Sequence, residues 1–325
     1  MIILLILDIL IPAIKADYSK KVSKFTGTEL NILILGDFGK TESESTIKMN
    51  VVRQSQIVIL HLLQRNEENK YNLAILLGDN CYPLGLRRGD FSPMQKIFAD
   101  SFPETHFKID FLSVLGNHGY YGDVETFITY FHHEPRYYQP DRYYLYSRGY
   151  APILAVYLET TVIQFVCVDS TPLVEQWMQQ AFCLDDQVQK KAVREMIRDS
   201  KDADYMFLVA HHPPMTAFGP HAENSNDNFL NQLLQEFEFT AAFSGHNHNV
   251  QYVPKHGQWK TAQIILGSSA KLSRTTVDKT NGEGWYNDKT GAFGHLRITK
   301  NHATLEFVDE QGVLLKTVRM NPRTR

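Results

Sequence analysis

Cysteine is scarce: the 325 residues hold three, Cys81, Cys167 and Cys183. That excludes a disulfide-built scaffold and a four-cysteine metal cluster. A Cys167–Cys183 bridge is open to the chain in an oxidising lumen, but spacing alone does not assign it. No Asn-x-Ser/Thr triplet occurs, so N-glycosylation is not expected. A surplus of positive charge is missing too. The net charge is -3 and the pI about 6.5, which removes the electrostatic footprint of a nucleic-acid or membrane-surface binder. There is no internal repeat, no low-complexity linker and no Ser or Cys nucleophile motif. Asp37-Phe38-Gly39 alone suggests a protein kinase, but no Gly-rich loop, Val-Ala-Ile-Lys or His-Arg-Asp accompanies it.

A membrane span is also missing. Met1 to Ile14 is almost wholly apolar, yet shorter than the roughly twenty residues a helical span needs. With Lys15-Ala16-Asp17 behind it, residues 1–16 read as a secretory signal peptide. Asp8 inside the apolar stretch and the large Ile14 depart from the usual pattern. The expected destination is secretion or a lysosome- or vacuole-like lumen. The alternative is an N-terminal strand or helix packed on the domain. Residues 27–325 are expected to form one domain.

What is present is a run of apolar strands that each end on a polar, metal-competent residue. Asp37 follows Ile32–Leu35 and Gly36. Asp79 and Tyr82 follow Leu73–Leu77 and Gly78. Asn117 follows Phe111–Leu115 and Gly116. His212 follows Tyr205–Ala210, and His246 and His248 follow Thr240–Ser244 and Gly245. Between these runs, Thr46–Gln64, Asp186–Asp199 and Phe229–Phe237 carry apolar residues at helical spacing. Three closing strands are read at Gly294–Lys300, Ala303–Val308 and Val313–Val318. The fold class is α/β, a four-layer α/β/β/α sandwich of two mixed sheets flanked by helices.

Ligands of open α/β sheets gather at the carboxyl ends of the strands, so the seven residues converge on one place. Asp37, Asp79 and Tyr82 are hard oxygen donors suited to Fe(III). Imidazoles suit Zn(II), Fe(II) or Mn(II), so the inventory points to two unlike ions that share one aspartate. Two such ions clamp the attacking and leaving oxygens of an in-line displacement. A trivalent ion would keep hydroxide available in acid, where a histidine stays protonated as general acid. His118, beside Asn117, and His221, in the loop after His212, are the candidates for that work.

These motifs resemble those of the purple acid phosphatases, within the calcineurin-like metallophosphoesterases, and most of all the small, tartrate-resistant, single-domain type. The family pattern D-x-G, G-D-x-x-Y, G-N-H-D/E, V-x-x-H and G-H-x-H reads here Asp37-Phe38-Gly39, Gly78-Asp79-Asn80-Cys81-Tyr82, Gly116-Asn117-His118-Gly119, Val209-Ala210-His211-His212 and Gly245-His246-Asn247-His248. The resemblance implies Fe(III) on Asp37, Asp79, Tyr82 and His248. It implies a divalent ion (Fe(II), Zn(II) or Mn(II)) on Asp79, Asn117, His212 and His246, with His118 and His221 as substrate-contacting and proton-donating residues. The register favours His212 over the adjacent His211, which is left to packing or to support of the ligands. The implied activity is hydrolysis of phosphomonoesters, small molecules or phosphoproteins, by in-line attack of a metal-bound hydroxide.

The alternatives are a phosphodiesterase or nucleotide hydrolase on the same site, and a low-turnover iron- or phosphate-binding relative. Gly119 departs from the family's acid, which puts rate and pH tuning in question. The segment 169–186, with Trp177, Met178 and Phe182, is either a lid over the site or an ordinary packed connector. His132, His133, His256 and His295 are expected to be structural, as is the tyrosine run Tyr137, Tyr138, Tyr143, Tyr144, Tyr146 and Tyr150.

Overall fold

The computed structural model describes residues 18–65, 71–151, 161–181, 186–219, 221, 229–255, 257, 259–274 and 284–324. The signal-peptide segment, Cys183 and His256 lie outside the described residues. No helix among the described residues is long and apolar enough to cross a membrane.

Runs of buried residues on both faces build two sheets. The first is ordered β1 (Ser19–Thr26), β6 (Tyr144–Ala151), β7 (Thr161–Cys167), β8 (Tyr205–Val209), β9 (Ala241–Ser244), β11 (Ala262–Leu266), β10 (Val250–Val253) and β12 (Trp285–Asn287). The second is ordered β15 (Leu314–Met320), β14 (Ala303–Asp309), β13 (Ala292–Ile298), β2 (Leu30–Leu35), β3 (Leu73–Leu76), β4 (Phe111–Ser113) and β5 (Tyr137–Tyr138). The runs β7-β8-β9-β11 and β2-β3-β4-β5 are parallel, and the closing strands β13 to β15 are antiparallel. Both sheets are therefore mixed. β1 precedes the expected domain start at residue 27 and pairs along β6.

Alternation along each strand sets the layers. Ile32 and Ile34 of β2 point inward and meet Ile75, Phe207, Val209 and Phe243 between the sheets. Leu33 and Leu35 point outward, into the core with α1 (Thr46–Arg65), where they join Val51, Val52 and Phe98. Phe98 belongs to a π-helical turn (Gln95–Ala99) continuing α2 (Ser92–Met94); Phe127 of α3 (Val124–His133) packs in the same layer. On the other side, Val166 and Leu208 pack against α6 (Asp186–Asp199) through Val193 and Met196, and against α7 (Phe229–Glu236) through Leu230 and Leu233. The helical order is α, β, β, α, with α4 (Thr171–Val174) and α5 (Gln176–Ala181) in the 169–186 segment. Tyr137, Tyr138, Tyr144 and Tyr146 are buried core residues, and His295 is buried against Asn31 and Glu306.

Two buried polar groups tie the helical layers to the strand ends. Lys48 of α1 is fully buried; its Nζ donates to the carbonyls of Phe38 (3.0 Å) and Ile97 (2.9 Å) and lies 4.5 Å from the Phe38 ring centroid. Burial pushes its pKa down to about 7. Asp169, just past β7, takes the Tyr120 hydroxyl, while Arg142 bonds Tyr120 at 2.9 Å and Glu125 at 2.8 Å. Burial pushes the Asp169 carboxyl up to about 6, against the pull of Arg142 and Tyr120.

Lys48→Ala removes two buried hydrogen bonds and opens a cavity, so denaturant unfolding is expected to show a loss of about 3 kcal/mol. Asp169 gives a pH signature. Its folded pKa is raised, so its stabilising contribution is complete below the unfolded value near 3.8 and is lost as pH rises through about 6. Asp169→Asn is expected to remove that dependence, by about 2–3 kcal/mol between pH 4 and 7, when both proteins are unfolded at each pH.

Candidate metal centre

The parallel strands deliver their ends to one edge of the sandwich. β2, β3 and β4 from one sheet and β8 and β9 from the other lead into Asp37, Asp79, Asn117, His211 and His246. Three of these take the left-handed backbone: Asp37 (φ 56°), Asp79 (φ 50°) and His246 (φ 66°). Non-glycine residues adopt that conformation at a cost, so neighbours must hold it. Here the loops hold each other. The amide of His246 donates to Asp37 Oδ2 (2.8 Å), the amide of His118 to Asp79 Oδ1 (3.0 Å), and the amide of Asp37 to the Gly78 carbonyl (3.2 Å). Glycine keeps the space clear. A Cβ at Gly116 would sit 2.3 Å from Asp79 Oδ1, and one at Gly245 would sit 2.5 Å from Asp37 Oδ2.

One donor set closes. The Tyr82 hydroxyl oxygen is 3.0 Å from Asp37 Oδ1, 2.9 Å from Asp79 Oδ2 and 3.2 Å from His248 Nε2, and His248 Nε2 is 3.4 Å from Asp37 Oδ1. Donors about 2.0–2.1 Å from a shared ion stand about 2.9–3.4 Å apart, so this set fits an ion. Asp37, Asp79 and His248 are the one group of three or more His, Cys, Asp or Glu among the described residues with donors within 4.8 Å of one another. Burial, with Asp37 and Asp79 beside it, pushes the Tyr82 phenol pKa well up. A phenolate there needs a cation to exist. His248 is oriented by Ser273 Oγ at 3.0 Å from its Nδ1, the usual support of a ligating imidazole.

The second expected set is arranged differently. His211, not His212, reaches its centre: His211 Nε2 is 3.1 Å from Asn117 Oδ1, 3.5 Å from Asp79 Oδ1 and 3.3 Å from His246 Nδ1. His211 Nδ1 donates to the Leu77 carbonyl at 2.7 Å. His212 turns the other way, to Ser170 Oγ (2.9 Å from Nδ1) and Glu175 Oε1 (3.0 Å from Nε2). With Nδ1 of His211 donating to Leu77, Nε2 is the lone-pair nitrogen of the neutral ring, and it faces the Asn117 and Asp79 oxygens as a ligating imidazole would. Burial pushes the His246 pKa far down, helped by the imidazoles of His212 and His211. Burial also opposes charge on His211, but Asp79 and Asp37 outweigh it and its pKa is raised.

The remaining candidates lie at the same edge. His118 donates from Nδ1 to the Pro83 carbonyl (2.6 Å), which leaves Nε2 free 3.9 Å from Asp79 Oδ2. The His221 ring lies tilted 4.3 Å from the His246 ring, its amide held by Asn247 Oδ1 at 3.1 Å; burial and the nearby His248 push its pKa down. Gly119 faces Phe127 and Leu115, an apolar setting for any acid that stood there. A cleft of about 680 Å³ is lined by Asn117, His212, His221 and His246 together with Tyr121, Glu175 and Trp177. Ser170, Glu175, Tyr121 and Ser273 lie outside the motifs legible in the sequence. Trp177 beside Glu175 in the flagged 169–186 segment was the available signal for the cleft wall.

Residues 30–250 match the model of the calcineurin-like phosphoesterases. The chain is similar to purple acid phosphatase 7 of Arabidopsis thaliana, with 23% identity over 93% of this chain and 89% of that protein. It is also similar to tartrate-resistant acid phosphatase type 5 of Oryctolagus cuniculus, with 23% identity over 78% of this chain and 80% of that protein. Among solved structures, the fold matches GAP50, the anchor in the inner membrane complex of Plasmodium, with a TM-score of 0.73 and 16% identity over 92% of this chain and 90% of that one. It also matches the purple acid phosphatase PPD1 of yellow lupin, with a TM-score of 0.58 and 13% identity over 91% and 54%. A family match over residues 30–250, carried by strands that end on the metal-donor motifs, makes the chain a member of the calcineurin-like phosphoesterase family.

Proposed function

We propose that the chain is a phosphomonoester hydrolase of the purple acid phosphatase type, working in an acidic lumen or outside the cell. One observation carries this reading: the phenol of Tyr82 meets two carboxylates and an imidazole within 2.9–3.2 Å. Hard oxygens with a phenolate suit Fe(III). A ferric ion bound there would supply the positive charge that draws in a phosphate and eases removal of a proton from water.

The chain's own residues do the rest. His118 has Nδ1 fixed by Pro83, so its Nε2 is presented toward Asp79 and the phosphate position. His221 is held by Asn247 at the cleft wall, within reach of a departing oxygen. Its role would be to protonate that oxygen. Tyr121 and Trp177 give the cleft an apolar wall for the alcohol portion of the ester.

The iron-loaded protein is expected to show a visible charge-transfer band that Tyr82→Phe abolishes, with hydrolysis of phosphomonoesters ahead of diesters at pH 5. Asp79→Ala is expected to lower kcat/KM by on the order of a thousandfold, about 4 kcal/mol. A band that survives Tyr82→Phe contradicts the iron–phenolate assignment. A band without turnover moves the assignment to the low-turnover relative.

A further inference from the structure

We propose that the exposed rings of Tyr121 and Trp177 select esters of aromatic alcohols, so that this chain prefers an aryl or arylmethyl monophosphate with its flat ring laid on that pair. The inference rests on the reading of this edge as a phosphomonoesterase centre and names the alcohol its cleft favours.

Tyr121 is 48% exposed and Trp177 54%, and they are the only aromatic side chains among the exposed large apolar ones of the described residues. Large rings elsewhere, such as Phe98, Tyr130 and Tyr137, are buried in the core. The two exposed rings stand together. Their centroids are 6.4 Å apart, their planes lie within 23° of parallel, and both line the cleft of about 680 Å³. Nearly parallel faces make a platform on which a flat ring gains stacking beyond the area it buries; an aliphatic group gains the area alone. The indole is also held in place. Trp177 Nε1 donates to Glu175 Oε2 at 3.1 Å, and Glu175 Oε1 lies 3.0 Å from His212 Nε2. A ring fixed before binding loses little freedom when a ligand covers it.

The platform begins beside the phosphate position. Tyr121 meets the His118 ring edge-on at 5.3 Å, and His118 meets the Tyr82 ring at 4.6 Å. An ester with its phosphate at the metal centre therefore projects its alcohol along these rings. Charge narrows the class further. No Lys or Arg is among the described residues that line the cleft. Nothing there is built to neutralise a chain of further phosphates, which favours a single phosphate on an uncharged ring.

The test separates stacking from simple apolar contact. Benzyl and cyclohexylmethyl phosphate both release a primary alcohol and carry rings of similar size, but only one ring is aromatic. The iron-loaded protein is expected to hydrolyse the benzyl ester with a kcat/KM about tenfold higher, the difference lying in KM. Trp177→Leu is expected to bring the two esters close to equal, and Trp177→Phe to restore most of the preference. Calorimetric titration with benzylphosphonate and cyclohexylmethylphosphonate, which are not hydrolysed, is expected to give the same order of affinity. Phenyl phosphate and a phosphotyrosyl peptide, each set against its Trp177→Leu value, separate a small-molecule from a protein source of the ring; a raised KM in the variant for at least one supports the inference, and for neither overturns it. Equal KM for the benzyl and cyclohexylmethyl esters in wild type overturns the inference and leaves the hydrolase reading intact, as does a preference that Trp177→Leu preserves. Tighter benzylphosphonate binding without turnover of any ester supports the aromatic platform and overturns the hydrolase reading. Neither binding nor turnover overturns both.

Discussion

Three non-glycine residues in the left-handed backbone, Asp37, Asp79 and His246, are the constraint on which the site depends. Each costs about 1–3 kcal/mol and persists only where its surroundings fix it. The fixing is mutual. The carboxylate of Asp37 accepts the amide of His246, and the carboxylate of Asp79 accepts the amide of His118. Each acid is thus held by the backbone of another strand end, and one of these bonds crosses from one sheet to the other. These backbone hydrogen bonds fix the carboxylates in position, which lowers the ordering cost of binding an ion.

The layers behind the site serve that geometry. Ile32, Ile34, Ile75, Phe207, Val209 and Phe243 clamp the two sheets face to face, so the strand ends of both sheets stay level. Lys48 braces the Phe38 carbonyl next to Asp37 from the outer helix. Ser170, past the end of β7, decides which way the adjacent histidines of β8 face, because its single oxygen serves both of their amides. The two halves of the centre differ for this reason. One gathers Tyr82, Asp37, Asp79 and His248; the other has His211, and not His212, beside Asn117 and His246.

Much of this was legible in the chain. β2, β3, β4, β8 and β9 are buried on both faces, so each shows as a mostly apolar run leading into glycine or a polar ligand. Helical spacing located α6 at Asp186–Asp199, because its polar face is solvated and its apolar stripe is regular. β1 was not legible. Its sequence SKKVSKFT has three lysines, common on edge strands, and no apolar run, and its partner β6 is more than a hundred residues away. The choice between His211 and His212 was likewise beyond local pattern. Both residues stand past the end of β8, and which of the two rings meets the donors depends on Leu77, Asn117, Ser170 and Glu175, all distant in sequence. Motif register fixes where a histidine stands; packing fixes where its nitrogen points.

The most direct test of the central claim is the position of the ion itself. A crystal of the iron-loaded protein, with anomalous diffraction collected on both sides of the iron edge, reports it without reference to activity. The account predicts a strong peak among the Tyr82 oxygen, Asp37 Oδ1, Asp79 Oδ2 and His248 Nε2. A peak confined to the Asn117–His246 side, or no peak at either position, would contradict it.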